Sequence, residues 1–446
     1  MKTFRIGGVH PQGNKLTAGL PITPAGLPKQ AAILLSQHIG APAQCIVAKG
    51  DKVKVGTLIA KAGGFVSANI HSPYSGTIAK IDVIADGTGY KKPAVFIDVE
   101  GDEWEESIDR SDTLVTTCDL DAAAIINRIE EMGIVGLGGA TFPTKVKLCP
   151  PPTMKAEVLV INAVECEPYL TNDHALMLAK ADEIMVGIEL LMKAVNVTRT
   201  FIGIEANKPD AIALLSEKAR AHKGIEVVEL ACRYPQGGEK QLIDAILHRQ
   251  VASGALPVST GAIVQNVATA YAVYEAVQKH KPLIERVVTV TGKSLAKPGN
   301  MLARIGTPIS MLLEAAGGIP EDTGKIVLGG PMMGKATANI ETPTGKGTSG
   351  ILVINDSEAH RTAPSPCIRC AKCVSACPMG LEPYLLAKST MAGNMEIAEK
   401  GHIYDCIECG CCTFSCPAHR PLLDYIRQGK GQVMGIIRAR NAANKK

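Results

Sequence analysis

The chain has 446 residues, 46% of them apolar and 4% aromatic, with 44 glycines and 27 prolines; this is too long for one core and implies two to four small-residue domains rich in turns. A net charge of +4, with no basic run interleaved with aromatics, excludes the nucleic-acid-binding classes. Residues 1–15 lack an apolar stretch and cleavage site, and the longest uncharged run, 251–274, is broken by Pro257, Gln265 and Asn266, so neither a signal peptide nor a membrane span is expected and the thiols are expected to stay reduced.

Residues 1 to about 100 read as β. Short Val/Ile runs are punctuated by Gly, Pro and Asp, and Val53, Val55, Leu58 and Ile59 alternate toward a core behind the turns at Gly50-Asp51 and Gly56. The paired stretches 48–60 and 71–81 resemble half of a biotinyl/lipoyl-type barrel-sandwich hybrid. That family carries its swinging-arm lysine at the intervening hairpin tip. Here the tip reads Gly63-Gly64-Phe65-Val66, so the resemblance implies a structural or docking module without the carrier chemistry. His10 and His71, in His-Pro and His-Ser-Pro contexts, read as hydrogen-bonding turn residues rather than ligands. The acidic stretch 101–120 reads as a linker or solvated face.

Asp121 is placed to cap a helix with Ile125, Ile126, Ile129 and Met132 on one face. That helix runs into G-I-V-G-L-G-G-A-T-F-P-T-K-V-K-L (133–148). A loop so rich in glycine can turn backbone N–H groups onto a phosphate or let a flat ring approach the main chain. It follows a helix, which excludes the dinucleotide fingerprint, where the glycines follow a strand. Strands at 157–162, 200–204 and 225–230 then alternate with helices at 173–195, 209–221 and 238–247, which predicts a parallel sheet. Ligands bind beyond the carboxyl ends of such strands, where 162–168, 234–240 and 264–269 fall.

Residues 285–354 predict a strand, turn, strand and helix, with Thr307 as cap and Pro308 opening the helix, then a strand and glycine turn at 325–334 where Met332 and Met333 pack against a neighbour. A linker at 359–366 leads to C-x2-C-x2-C-x3-C-P twice: Cys367, Cys370, Cys373 and Cys377, then Cys406, Cys409, Cys412 and Cys416. This is the ligand run of a ferredoxin holding two [4Fe–4S] clusters, in which each fourth cysteine crosses to the other cluster. Crossing assigns Cys367, Cys370, Cys373 and Cys416 to cluster one, and Cys406, Cys409, Cys412 and Cys377 to cluster two. Zinc requires two C-x2-C pairs and does not account for an x2, x2, x3, Pro pattern twice over. The remaining cysteines, Cys45, Cys118, Cys149, Cys166, Cys232 and Cys411, read as plain buried thiols. The long spacer between motifs predicts a helical cluster domain. The stretch from Arg427 onward, with Lys430, Arg438, Arg440, Lys445 and Lys446 and no acid, reads as a solvated tail or a docking patch for an anionic face.

Together, G-x-G-G-x-x-F-P-T, N-A-x-E-x-E-P, G-E-K and Q-N-V-A-T resemble the flavin- and NADH-binding subunit of respiratory complex I. The order of parts is similar, over the whole chain, to the C subunits of Rnf ion-translocating oxidoreductases. The resemblance implies a multidomain α/β chain: a barrel-sandwich hybrid (1–105), a Rossmann-like flavin/NADH α/β domain (106–282), a β-grasp SLBB domain (283–358) and an α-helical two-[4Fe–4S] ferredoxin domain (359–446). It implies an FMN site at Gly136, Gly138, Gly139, Lys147, Asn162, Glu165, Gly238, Glu239 and Asn266, with Phe142 in the place of the aromatic that stacks on the nicotinamide. Two positions depart from the complex I pattern: Val164 replaces an acidic residue and Lys240 the second glutamate of a Glu-Glu turn. The function implied is exchange of electrons between NAD(H) and the clusters, on the cytoplasmic face of an ion-pumping (Na+ or H+) membrane complex and in association with its membrane and ferredoxin-type subunits. A flavin supports this because it accepts an electron pair and releases single electrons. No catalytic acid or base is singled out. The alternatives are a soluble flavin/iron–sulfur reductase similar to cobalamin reductases, against which the leading barrel-sandwich argues, and a cluster-bearing adaptor without flavin.

Overall fold

In the computed structural model, which describes residues 1–443, residues 30–99 pair into two antiparallel sheets. One has the order Gln30–Leu34, Lys91–Val99, Gly76–Ala85, Lys52–Val53; the other runs Gln44–Cys45, Leu58–Lys61, Ile70–His71. Val53 and Ile59 meet Ile33, Tyr74 and Ile97 in the core between them, and Val55 is also buried, while Leu58 is only partly so. The lysine-free tip at 63–66 projects outward with Phe65 74% exposed. His10 behaves as expected, its Nδ1 lying 3.0 Å from the Cys232 carbonyl. His71 does not: it ends a strand, is buried, and its Nδ1 has no partner, so burial pushes its pKa down to about 3. The acidic stretch is more than a solvated linker. Trp104 bridges to Val55 and is flanked by the Arg110 and Arg304 guanidiniums, and Ile108 is buried.

Asp121 caps the helix Ala122–Glu131, accepting from the Ala124 N–H at 2.8 Å, with Ile125 and Ile129 buried. The alternating segment forms a parallel sheet in the order Ile225–Leu230, Thr200–Glu205, Val158–Asn162, Ala262–Asn266. The helix expected over 173–195 is two, Asn172–Ala179 and Ala181–Val195. Lys180 leaves the helical region (φ −135, ψ 37), and Asp182 and Glu183 occupy the first turn of the second helix, where its dipole favours acids.

The fourth sheet has six strands: Ile22–Pro24, Gly299–Arg304, Glu285–Thr291, Gly350–Asn355, Thr323–Leu328, Lys335–Thr337. Its edge strand Ile22–Pro24 comes from the start of the chain, parallel to Gly299–Arg304. Thr307 does not cap the helix Ile309–Ala315. Its hydroxyl donates to the Arg304 carbonyl at 2.7 Å and lies 2.8 Å from the Tyr74 hydroxyl, tying this sheet to the first domain, and Pro308 takes the cap position.

The cysteine region is helical, with Pro383–Met391 and Met395–Lys400 between the motifs and Leu422–Ala443 behind them. The expected basic tail is therefore a helix, apart from Lys445 and Lys446, which lie outside the described residues. Arg427 and Lys430 both pair with Glu408, and Arg440 with Glu399.

Candidate cofactor sites

In the parallel sheet, the first strand Val158–Asn162 lies inside, with the chain passing to Thr200–Glu205 on one flank and Ala262–Asn266 on the other. A crevice opens at such a reversal, beyond the carboxyl ends of the two strands. The register places Asn162 and Asn266 side by side at those ends. Over them lies the glycine loop: a Cβ on Gly138 would stand 2.9 Å from the Asn266 Cβ and Nδ2. The loop is closed by Gly136 N–H donating to the Phe142 carbonyl at 2.9 Å and pinned by Leu137 N–H on Thr269 Oγ1 at 2.9 Å. From the other side, Asn162 Nδ2 donates to the Gly237 carbonyl at 2.8 Å, and Lys147 Nζ reaches Glu239 Oε1 at 2.7 Å and the Val264 carbonyl at 3.2 Å. Gly136, Gly138, Lys147, Asn162, Gly238, Glu239 and Asn266 thus gather at the carboxyl ends of these two strands.

Glu165 is turned away. At φ +52, its carboxylate accepts from the Asp173 N–H at 2.7 Å and the His174 N–H at 3.4 Å, sealing the start of the helix Asn172–Ala179. Asp173, which sequence reasoning missed, accepts from Asn266 Nδ2 at 2.7 Å, so it fixes the amide beneath Gly138. Burial, and then the adjacent Glu165, push its carboxyl up. Lys15 was also missed: its buried ammonium donates to the carbonyls of Glu165, Glu167 and Leu170, holding the 165–170 loop from far away in sequence. The two departures have structural uses. Val164 is fully buried in the core behind the sheet, and Lys240 reaches toward Asp405 at 3.8 Å, next to the second cysteine motif. The lining suits a heterocycle with hydrogen-bonding edges. Buried Gln236, on the 234–240 loop, has both amide atoms unpartnered, and Gln265 has an unpartnered Nε2.

The two cysteine motifs share one backbone shape. Arg369 and Ala371 in the first, and Glu408 and Gly410 in the second, adopt left-handed φ of 56, 58, 58 and 81°. Successive residues of alternating hand turn N–H groups into an anion-binding nest. Accordingly the Glu408 N–H points at Cys406 Sγ (3.4 Å) and the Leu381 N–H at Cys377 Sγ (3.4 Å), contacts that favour thiolates over thiols. One cavity is lined by Cys406, Cys409, Cys411 and Cys412 together with Cys377 of the other motif. In the other direction, burial and, less strongly, the charge of Cys416 push the Cys373 thiol up, and both cysteines pack on the apolar cluster of this region. Cys377, Cys406, Cys409 and Cys412, with amides directed at Cys377 and Cys406, form a donor set suited to an iron–sulfur cubane. Cys411 is fully buried beside Tyr234 and Val9. Of the cysteines expected as buried thiols, Cys45, Cys118 and Cys166 are partly buried, whereas Cys149 and Cys232 are exposed: their short loops leave them at the surface.

The crevice and the second motif meet at one joint. The Tyr234 hydroxyl donates to the Cys409 carbonyl at 2.8 Å and lies 3.3 Å from Glu167 Oε1. The Glu167 carboxylate also accepts the N–H groups of Met332 (3.1 Å) and Met333 (2.8 Å), so with Tyr234 it completes a joint among three domains. Met332 packs on this cluster of residues as expected, while Met333 is 43% exposed. Burial raises Glu167 to about 7 against the pull of those donors. An acid raised on folding binds more protons folded than unfolded between about pH 4.3 and 7, so its contribution to stability falls as pH rises through that window. Glu167→Gln leaves one of the two N–H groups facing an amide nitrogen, which costs about 1–3 kcal/mol. The variant is expected to melt below the wild type, with the gap narrowing from pH 5 to 8. A gap that widens with pH means the amide donors outweigh burial.

A crevice of this lining, joined through Tyr234 and Glu167 to paired cysteine cradles, defines a flavin and iron–sulfur electron-transfer protein. Family models agree along the chain: RnfC barrel sandwich hybrid domain over 2–102, Nuo51 FMN-binding domain over 129–275, SLBB domain over 287–336 and 4Fe-4S dicluster domain over 366–421. The chain is 44% identical to the C subunit of the proton-translocating ferredoxin:NAD(+) oxidoreductase complex of Clostridium ljungdahlii, over 97% of this chain and 94% of that one. It is 42% identical to the Na(+)-translocating counterpart of Acetobacterium woodii (98% and 99%), and 39% identical to the C subunit of the ion-translocating oxidoreductase complex of Rhodobacter capsulatus (97% and 84%). The chain belongs to this family, the C subunits of ion-translocating ferredoxin:NAD(+) oxidoreductase complexes. A solved NAD+-reducing [NiFe]-hydrogenase chain shares the fold at TM-score 0.50 and 18% identity, over 70% of this chain and 63% of that one. Among the described residues no helix is long and apolar enough to cross a membrane.

Proposed function

We propose that this chain is the NAD(H)-exchanging subunit of an Rnf-type complex, held peripherally at the cytoplasmic face of the membrane by partner subunits. Four domains divide the work, at 1–105, 106–282, 283–358 and 359–446. Asn162, Asn266, Gly136, Gly138, Gly139, Lys147, Gly238 and Glu239 hold FMN, with Phe142 at the nicotinamide; Glu165 acts indirectly, by holding the start of the helix from which Asp173 reaches Asn266. When bound, flavin takes the electron pair of a hydride and releases it singly, which two [4Fe–4S] clusters require. Asp173 orients the Asn266 amide, and the Lys147–Glu239 pair closes the side of the crevice. Cys406, Cys409, Cys412 and Cys377 hold one cluster; Cys367, Cys370, Cys373 and Cys416 hold the other. The first of these sites is buried against the crevice wall and the second includes exposed Cys367 and Cys370, so the arrangement runs from crevice to buried motif to exposed motif to partner.

The observation that carries this reading is the pairing of Asn162 with Asn266 beneath Gly138, one hydrogen-bonded joint away from Cys409. Anaerobic purification should yield FMN and iron together, and NADH should bleach the iron–sulfur absorbance. Iron without flavin, and no bleaching, would instead identify a cluster-bearing adaptor. The charge arrangement also supports indirect membrane attachment, because Arg427, Lys430 and Arg440 are engaged by Glu408 and Glu399. Expressed without its partners, the chain is expected in the soluble fraction and, with them, in the membrane fraction. Membrane recovery in a strain lacking the partners indicates direct lipid binding.

A further inference from the structure

The first ten residues belong to none of the β-sheets, yet they run between the α/β domain and the cysteine region. Lys2 pairs with Leu230 at the end of the parallel sheet, and its carbonyl accepts the Ala231 N–H at 2.9 Å. Val9 exchanges both backbone hydrogen bonds with Tyr234, at 2.8 and 2.9 Å. Between these anchors, Arg5 clasps Asp244 through its N–H (2.9 Å) and its Nε (2.8 Å), and Arg233 donates to the carbonyls of Phe4 and Gly7. All of these partners lie on the α/β domain.

The other face of the same segment touches the cysteines. The Gly8 N–H donates to the Ala376 carbonyl at 2.9 Å. Gly7 has φ +69, and a Cβ built on it would stand 2.4 Å from the Cys377 carbonyl carbon and oxygen and 2.5 Å from Pro378 N. No Cβ tolerates backbone at that distance, and the opposing atoms are a peptide followed by a rigid proline ring, which cannot swing aside as a side chain could. From the far side, Gln241 Nε2 donates to the Pro378 carbonyl at 3.1 Å. The turn after Cys377 is therefore gripped between the segment and the helix Glu239–Leu247.

We propose that residues 2–10 are a positioning strap for the cluster held by Cys406, Cys409, Cys412 and Cys377, and that Gly7, seated on the peptide joining Cys377 to Pro378, sets where the fourth ligand stands relative to the flavin crevice. This rests on the crossed ligand assignment proposed above. The strap reaches the motif 406–412 from both ends: through Gly7 it fixes Cys377, and through Val9 it fixes Tyr234, whose hydroxyl holds the Cys409 carbonyl. It thus makes the position of this cluster a property of the α/β domain rather than of the helical domain alone, which suits a cluster that must stay at fixed distance from the crevice.

The test is Gly7→Ala in the full-length chain, purified anaerobically. FMN content and the electron paramagnetic resonance signal of the cluster at 367–373 should be unchanged. The signal and midpoint potential of the cluster at 406–412 should shift or, if that cluster is lost, iron should fall by about half. Gly7→Asn separates contact from backbone: asparagine accepts left-handed φ but brings the same Cβ, so it should be as damaging as alanine. If asparagine restores the wild-type signal, the backbone angle and not the seat on Cys377 matters, and the proposal fails. Gly13→Ala is the control, since a Cβ there meets only the Lys15 side chain at 3.8 Å; equal damage from it reduces the segment to a general stabiliser and overturns the strap. If Gly7→Ala leaves both clusters unchanged, the strap is wrong. A change confined to the cluster at 367–373 supports the strap's hold on Cys377 and overturns the crossed assignment instead.

Discussion

Cys377→Ala is expected to destroy the cluster on the other motif while sparing the one built around its own position. Cys377 lines the cavity of Cys406, Cys409 and Cys412, 29 positions or more along the chain, and it carries the influence of Cys409. In the proposed crossed assignment the three cysteines of its own motif are served by Cys416, whose charge is among the influences that raise Cys373. A cubane left with three thiolates and a methyl in a mostly apolar cavity has no replacement ligand from solvent, so iron per chain should fall by about half. Cys411 is the one nearby thiol that could substitute. It sits fully buried with its Sγ toward the Tyr234 carbonyl (3.9 Å), and its hydrogen bond with Cys409, then burial, push it up, away from thiolate. Cys411→Ser should therefore leave both clusters in place. Reference spectra come from Cys370→Ala and Cys409→Ala, each removing a ligand whose motif is not in question. If the Cys377→Ala spectrum matches the first reference, each motif closes on itself.

What was legible in the sequence follows from how far apart the cooperating residues are. The cluster ligands are short-range: within each motif, spacing alone shapes a three-thiolate cradle. The β-α alternation was legible for the same reason, because strand and helix periods are local. The crevice residues were legible only as loops at strand ends; that Asn162 and Asn266 stand side by side depends on register between strands 104 positions apart. The contacts that make the site a unit are all remote. Lys15 reaches Glu165 across 150 positions, and Tyr234 reaches Cys409 across 175. No periodicity signals such pairs. Three readings meet the same limit. The stretch after Arg427 looked like an unbalanced basic tail because its acids lie elsewhere: Glu408, 22 positions before Lys430, and Glu399, 41 before Arg440. Thr307 had the local look of a helix cap, but Tyr74, 233 positions away, engages its hydroxyl. Glu165 was assigned to flavin from its motif, and its carboxylate is committed to the start of a helix that the motif does not include.

Gly138→Val should remove flavin and leave iron. A Cβ at this position already stands 2.9 Å from two atoms of the Asn266 side chain, and valine adds two methyls at a point where the loop cannot open without losing the Leu137 hydrogen bond to Thr269. Asn266 has little room to yield. Its Oδ1 caps the helix Val267–Gln278 through the Ala268 N–H at 2.9 Å, and its Nδ2 is held by Asp173 at 2.7 Å. The loop must therefore lift away from the crevice, and overpacking of this kind costs about 1–3 kcal/mol. Set against ligand binding, that is about a 10- to 100-fold loss of affinity, enough to strip flavin during purification. The cysteine cradles share no atom with the glycine loop, so iron content and cluster spectra should match the wild type, while bleaching by NADH disappears. Dithionite, which needs no flavin, should still reduce both clusters. Flavin content equal to the wild type would show that the loop is only a turn, and the crevice residues would then have to be reassigned starting from Asn162.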